Sequence, residues 1–262
     1  MTKSSFLYWY PKIQNLGIPM PKTEIVEIPY AVFLKYMDEP MALAPYVHEI
    51  KEKSSKIGYP LFLKTDLASG KHQWEKSCYV PSEKDLAQHI WEVVEFNFCA
   101  DFMGLPCQAL LLREFIKLDW KFKAFSGMPV AKERRYFVRD GRVVCHHEYW
   151  IKNAIEDWHK RLPSVRVLPK NWEALLKEIN TETDDEICLL TDYSERVAKV
   201  LDGYWSIDYA KAKNGIWYLI DAAEGEKSYH LPHEKQGHEP QKEVPQKAGN
   251  LFKKITEKPA NK

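Results

Sequence analysis

Two acidic residues, Asp208 and Asp221, close the matched apolar runs Tyr204-Trp-Ser-Ile-Asp208 and Trp217-Tyr-Leu-Ile-Asp221. Between the runs stands Asn214-Gly215, a pair that favours a two-residue hairpin turn because both residues tolerate positive φ. Such a hairpin brings the two carboxylates toward each other. A carboxylate at the end of a buried strand is costly without a cation or a hydrogen-bond donor. Two of them side by side suit a hard divalent cation carrying nucleotide phosphates, which is how Mg²⁺ is usually held. The alternative is an acidic strand end in water.

Cations cluster elsewhere. Lys64 ends the apolar stretch Tyr59–Lys64 and precedes Ala68-Ser69-Gly70, with Lys71 and His72 next. Small residues let backbone N–H groups approach phosphate oxygens, and a fixed lysine adds a point charge. A solvated hairpin loop would carry the same residues, and the Walker A pattern is absent. Along Glu133–Arg139, strand alternation places Arg135, Phe137 and Arg139 on one face and Arg134, Tyr136 and Val138 on the other. A guanidinium on a buried face requires an anion, from a ligand or from a structural carboxylate. Arg113, Glu114 and Lys117 follow the apolar run Ala109–Leu112, which by itself describes any strand leaving a core. His146 and His147 are adjacent on an expected strand, so they face opposite ways and do not share a metal easily. His230, His233 and His238 fall in or near a polar C-terminal region. Neither G-x-S-x-G nor H-E-x-x-H occurs, so serine or zinc hydrolysis lacks support.

These groups need a scaffold. With 262 residues and 45% hydrophobic content the chain can bury a substantial core. The expected elements are a helix over Met41–Ile57 ending at Gly58, strands at Tyr59–Lys64 and Lys76–Val80, and a helix from Ser82, where Ser82-x-x-Asp85 approximates a capping box. Strands follow at Ala109–Glu114, Arg134–Arg139 and Arg142–His147, then helices capped by Asn171 and by the box Thr183-x-x-Glu186. Strands interleaved with helices indicate an α+β architecture. Prolines break residues 1–58 into short pieces, in which Phe6–Tyr10 either packs on the core or presents a partner-binding surface. From about Glu226 the chain turns polar, the composition of a disordered tail. The expected division is an N-terminal extension (1–58), a core (59–225) and that tail (226–262). Five scattered cysteines without C-x-x-C spacing point to reduced thiols and a cytoplasmic setting. No run approaches the ~18 apolar residues of a membrane span. A net charge of +1 argues against a nucleic-acid or membrane partner.

Taken in order, the motifs resemble the ATP-grasp superfamily, in which ATP lies between two α+β lobes. Tyr59–Lys64 with Ser69-Gly70-Lys71 is similar to its first lysine strand and phosphate-covering loop. Leu110–Ile116 resembles the hinge that holds adenine and ribose, with Arg113, Glu114 and Ile116 as contacts. Glu133-Arg-Arg135 resembles an acidic-x-Arg strand whose Arg135 contacts phosphate or acyl phosphate. The late strands resemble the metal pair, making Asp208 and Asp221 Mg²⁺ ligands. The resemblance implies an ATP- and Mg²⁺-dependent carboxylate-amine ligase, with Lys71 and Arg135 catalytic and unknown substrates that include peptides or proteins. It covers roughly residues 59–225 and is nearest to small bacterial and phage members; initiation-factor assembly chaperones on the same fold are more distant. One departure stands out. Members commonly carry Asn two residues after the second metal carboxylate, where this chain has Ala223, and Glu224 is the candidate substitute. That departure keeps open an ATP-binding assembly or interaction module without turnover. A third reading, polynucleotide-ligase-like nucleotidyl transfer, takes Lys64-Thr-Asp66 as the start of a K-x-D-G motif; Leu67 stands where its glycine is needed.

Overall fold

An apolar strand without polar interruption needs cover on both faces, and Ala109-Leu-Leu-Leu112 finds it at the junction of two hydrophobic cores. The computed structural model describes residues 2–101, 106–161 and 168–231. In chain order come α1 (Phe6–Ile13), β1 (Thr23–Glu27), α2 (Tyr30–Asp38), α3 (Val47–Ile57), β2 (Leu61–Thr65), β3 (Tyr79–Val80), α4 (Leu86–Asp101) and β4 (Ala109–Glu114). There follow β5 (Trp120–Ala124), β6 (Met128–Ala131), β7 (Glu133–Arg139), β8 (Arg142–Glu148), α5 (Lys152–Arg161), α6 (Trp172–Asn180), α7 (Asp184–Ala198), β9 (Tyr204–Lys211) and β10 (Trp217–Glu224). Two antiparallel four-stranded sheets, ordered β1-β4-β2-β3 and β10-β9-β7-β8, are accompanied by the hairpin β5-β6. The architecture is α+β.

β4 joins the cores. Leu110 and Leu112 pack with α2, α3 and α4, while Ala109 and Leu111 face α1 and the second sheet. Phe6, Trp9 and Ile13 of α1 are buried in that second cluster beside Tyr136, Ile207 and Leu219. The aromatic N-terminal segment therefore packs as a wedge between the sheets. A third cluster lies under β5-β6, where Phe122 and Val130 meet α5 and α6 through Ile155, Leu176 and Ile179.

Local signals mostly act where the sequence places them. Gly58 ends α3 at φ +82, although Pro40–Tyr46 upstream is a 3₁₀ helix, because Pro45 cannot donate to an α-helical ladder. Thr183 and Glu186 form the reciprocal capping box of α7. Two caps differ from expectation. The Ser82 hydroxyl donates to Asp85 Oδ2 at 2.6 Å instead of capping a backbone N–H, and Asn171 precedes α6 without a side-chain cap bond. The second strand is short, Tyr79–Val80, and the β5-β6 hairpin is an addition to the expected elements. The β9-β10 turn is also different. Only Gly215 takes positive φ (+84), and the Gly215 N–H donates to the Ala212 carbonyl at 2.9 Å, which makes a three-residue loop. The expected polar tail lies outside the described residues after Leu231, with His233 and His238; residues 228–231 run along the second sheet, where Ser206 and Ser228 hydroxyls meet at 2.5 Å.

Asp66 fastens the first sheet to the wedge. Its carboxylate accepts from Ser5 Oγ at 2.5 Å and from the backbone N–H groups of Gln108 at 2.8 Å and Ala109 at 3.3 Å. Asp66→Ala leaves those buried donors without an acceptor. Chemical denaturation should show a loss on the order of 3 kcal/mol, and an unchanged midpoint would refute the role.

Candidate functional site

A cleft of about 240 Å³ opens between the two sheets. Its polar wall is built by strand ends. β2 delivers Lys64, buried at 3% exposure, and β7 delivers Glu133 and Arg135. β9 and β10 deliver Asp208 and Asp221, which are Cα partners across the hairpin. That pairing depends on a β-bulge: register shifts between Leu219 and Asp221, so Ile220 is the extra residue. In regular alternation after core-facing Leu219, Asp221 would point into the core.

Cations and carboxylates pair across the cleft. Arg135 forks onto Asp208, with Nε to Oδ1 and Nη2 to Oδ2 both at 2.7 Å. Burial alone would lower the Arg135 pKa, but Asp208 more than offsets it and holds the guanidinium charged. Lys64 Nζ donates to Asp221 Oδ2 at 3.0 Å. Arg113 reaches over from β4 and donates to the Ile220 carbonyl at 2.7 Å and to Thr23 Oγ1 at 3.2 Å; burial pulls its pKa down to about 10. Arg135 Nη1 also donates to the Tyr229 carbonyl at 3.2 Å.

Most of the residues named from sequence meet here. Lys64, Ser69, Lys71, Arg113, Glu114, Ile116, Arg135, Asp208 and Asp221 all line the cleft. Gly70 supports it from behind. Its φ of +60 and the tight approach of Phe96 and Ser77 leave little room for a Cβ, and its carbonyl accepts from Ser77 Oγ at 2.8 Å. Glu224 does not join them. Alternation along β10 turns it away from Asp221, and its carboxylate accepts from Thr2, Ser4 and Lys227 instead. Ala223, on the Asp221 face, offers no side-chain donor. Two carboxylates on one wall still form an oxygen donor set of the kind Mg²⁺ accepts, since that ion keeps several waters and phosphate oxygens.

Sequence reading missed the apolar half of the cleft and one of its acids. Phe62, Trp74, Phe115, Met128 and Ile220 form a slot beside the backbone of Glu114–Ile116. Tyr149 and Glu133 line the opposite part. Burial pushes the Glu133 pKa up, with Lys71 opposing. Burial would lower the Lys71 pKa, yet Tyr149, Glu133 and Asp208 raise it above the ordinary lysine range. The only signals for these residues were the acidic head of the β7 motif and an aromatic pair, Tyr149-Trp150, following β8.

Among the described residues, no helix is long and apolar enough to cross a membrane, and no group of three or more His, Cys, Asp or Glu could hold a metal ion. An ATP-grasp domain family, the third family of its clade, matches residues 43–236. No curated protein matches the chain. Among solved structures, Cdc123 from Schizosaccharomyces pombe is similar at a TM-score of 0.52 and 17% identity, over 85% of this chain and 83% of that one. Its C-terminally truncated form gives 0.51 at 16% identity, over 86% of each. The ADP complex of PurK, N5-carboxyaminoimidazole ribonucleotide synthetase, gives 0.50 at 12% identity, over 89% of this chain and 47% of that one. This chain thus spans about half of PurK's length. Likeness at these identities is likeness of fold.

Two histidines near the cleft make stability depend on pH. Burial lowers His72, stacked on Phe125 and next to Lys71, to about 4, and lowers His147 likewise to about 4. Both fold in the neutral form, while the unfolded chain takes up protons near the ordinary value of 6.5. Stability is therefore retained above pH 6.5 and falls as pH drops toward 4. Thermal unfolding across that window should show the decline, and His72→Phe should make it shallower; an equal slope in the variant would refute the assignment.

Proposed function

The chain belongs to this ATP-grasp domain family, and from that membership we propose that it is an ATP- and Mg²⁺-dependent ligase that activates a carboxylate. The observation that carries this reading is the cleft wall itself, where three cations, Lys64, Lys71 and Arg135, converge on two opposed carboxylates, Asp208 and Asp221. Phosphoryl transfer asks for positioning and charge neutralisation and for no covalent work by the protein. The apolar slot beside Glu114–Ile116 suits a planar purine, and Ser69 and Gly70 shape the loop over the phosphates. The γ-phosphoryl group passes to the substrate carboxylate, and an amine or similar nucleophile then attacks the acyl phosphate. Asp208 and Asp221 hold Mg²⁺, which supplies positive charge to the phosphate oxygens. The ion pairs of the free protein support this assignment. Phosphates can take over Lys64 and Arg135 while the metal takes over their carboxylates, so the exchange strands no buried charge.

A second reading keeps nucleotide binding without turnover, as an assembly or interaction module. Ala223 and the averted Glu224 favour it, because they leave the metal two protein carboxylates. Five free thiols support a reducing, cytoplasmic compartment for either reading.

ATP with Mg²⁺ at a hundredfold excess over Kd should raise the Tm by about 5–10 °C, and Asp221→Asn should abolish the Mg²⁺-dependent part. No shift in the wild-type protein would sink nucleotide binding. A screen for ADP release against amino acids and peptides then separates the readings: stabilisation with no ADP under any acceptor selects the module. Ala223→Asn adds an oxygen donor on the Asp221 face and should lower the Mg²⁺ concentration needed for half-maximal stabilisation severalfold; an unchanged requirement would remove Ala223 from the metal site.

A further inference from the structure

The Lys71 ammonium already sits in a built pocket. Its Nζ lies 3.7 Å from Glu133 Oε2, 3.9 Å from the centroid of the Tyr149 ring and 5.0 Å from that of Trp150. Glu133 is 4% exposed and lines the cleft. Its Oε1 accepts from Trp150 Nε1 at 3.1 Å, but its Oε2 has no hydrogen-bond partner. At 3.7 Å the lysine is an ion-pair neighbour and not a donor. A buried carboxylate oxygen therefore faces the cleft beside two aromatic rings and lacks the one short contact that would satisfy it. Those three groups select for charge and for size. A carboxylate and ring faces attract a cation, and a neutral hydroxyl would leave the buried carboxylate charge uncompensated. A guanidinium is already committed next door, where Arg135 stacks on Tyr149 at 4.8 Å while it forks onto Asp208.

We propose that Glu133, Tyr149 and Trp150 form a seat for the primary ammonium group of a substrate, and that Lys71 occupies this seat only while the substrate is absent. The proposal rests on the ligase reading and adds to it where the nucleophile docks. Arrival of the substrate ammonium would displace Lys71 toward the phosphates, so the loop lysine reaches the transferring group when the acceptor is in place. Glu133 also gains the short donor contact that Lys71 does not make.

Lys71→Ala empties the seat and leaves its walls unchanged. In thermal-shift assays on this variant without nucleotide, n-butylammonium should raise the Tm and n-butanol at the same concentration should not. The Lys71→Ala/Glu133→Gln double variant should lose that difference. If Lys71→Ala does not fold, Lys71→Met keeps an unbranched stem and takes its place. Equal responses to amine and alcohol, or an ammonium response that survives Glu133→Gln, overturn the seat. In the wild-type protein, ATP with Mg²⁺ should tighten n-butylammonium binding at least about tenfold by drawing Lys71 away; unchanged affinity overturns the exchange. A wild-type protein that ATP does not stabilise would strike the ligase reading instead, and the Lys71→Ala comparison would still decide the seat.

Discussion

Between Leu219 and Asp221 the last strand carries one residue more than its partner, and the side-chain parity of the rest of β10 follows from that insertion. Leu219 faces the core beside α1, and Asp221 faces the cleft opposite Asp208. The bulge also turns the Ile220 carbonyl toward Arg113, which donates to it from the other sheet. One irregularity thus places a carboxylate and ties the two sheets together at the same point. Without it, Asp221 would be a buried charge without a partner, and Lys64, almost fully buried, would lose its counter-ion.

The charged wall is arranged for exchange of partners. Each buried cation of the wall has an anionic or carbonyl acceptor within the protein, so the free cleft carries no uncompensated charge. The pairs join residues from different strands, Lys64 to Asp221 and Arg135 to Asp208. A ligand that brings its own anions and cation can enter that network by substitution. Glu133 is the exception on this wall, with one oxygen unsatisfied.

Parts of this were legible in the sequence because they follow from local rules. The apolar runs gave β2, β4, β7, β9 and β10, the Thr183/Glu186 box gave the start of α7, and alternation along β7 put Arg135 and Arg134 on opposite faces. The cleft cations and the two aspartates were identified by type and order. Other features depend on tertiary context. Nothing local distinguishes a bulge at Ile220 from regular alternation, and parity past the bulge decides that Glu224 turns away. Asn214-Gly215 reads as a two-residue turn until pairing of the flanking strands imposes three. Tyr149 and Trp74 look like core aromatics in sequence, and only packing reveals which faces meet the cleft. The β5-β6 hairpin escapes a sequence reading because Trp120–Ala131 mixes lysines, Gly127 and a proline, which weakens any period.

β4 belongs to two cores at once, and that limits how the cleft can open. A strand covered on both faces cannot follow one lobe away from the other without exposing leucines on one side, and the α1 wedge adds the same constraint from the N-terminus. Rigid-body separation of the sheets is therefore the expensive motion. The hairpin β5-β6 is different. It rests on its own small cluster with α5 and α6 and contributes Met128 and Pro129 to the cleft rim. Ligand entry by displacement of this flap disturbs neither large core, so the fold assigns gating to its least shared layer.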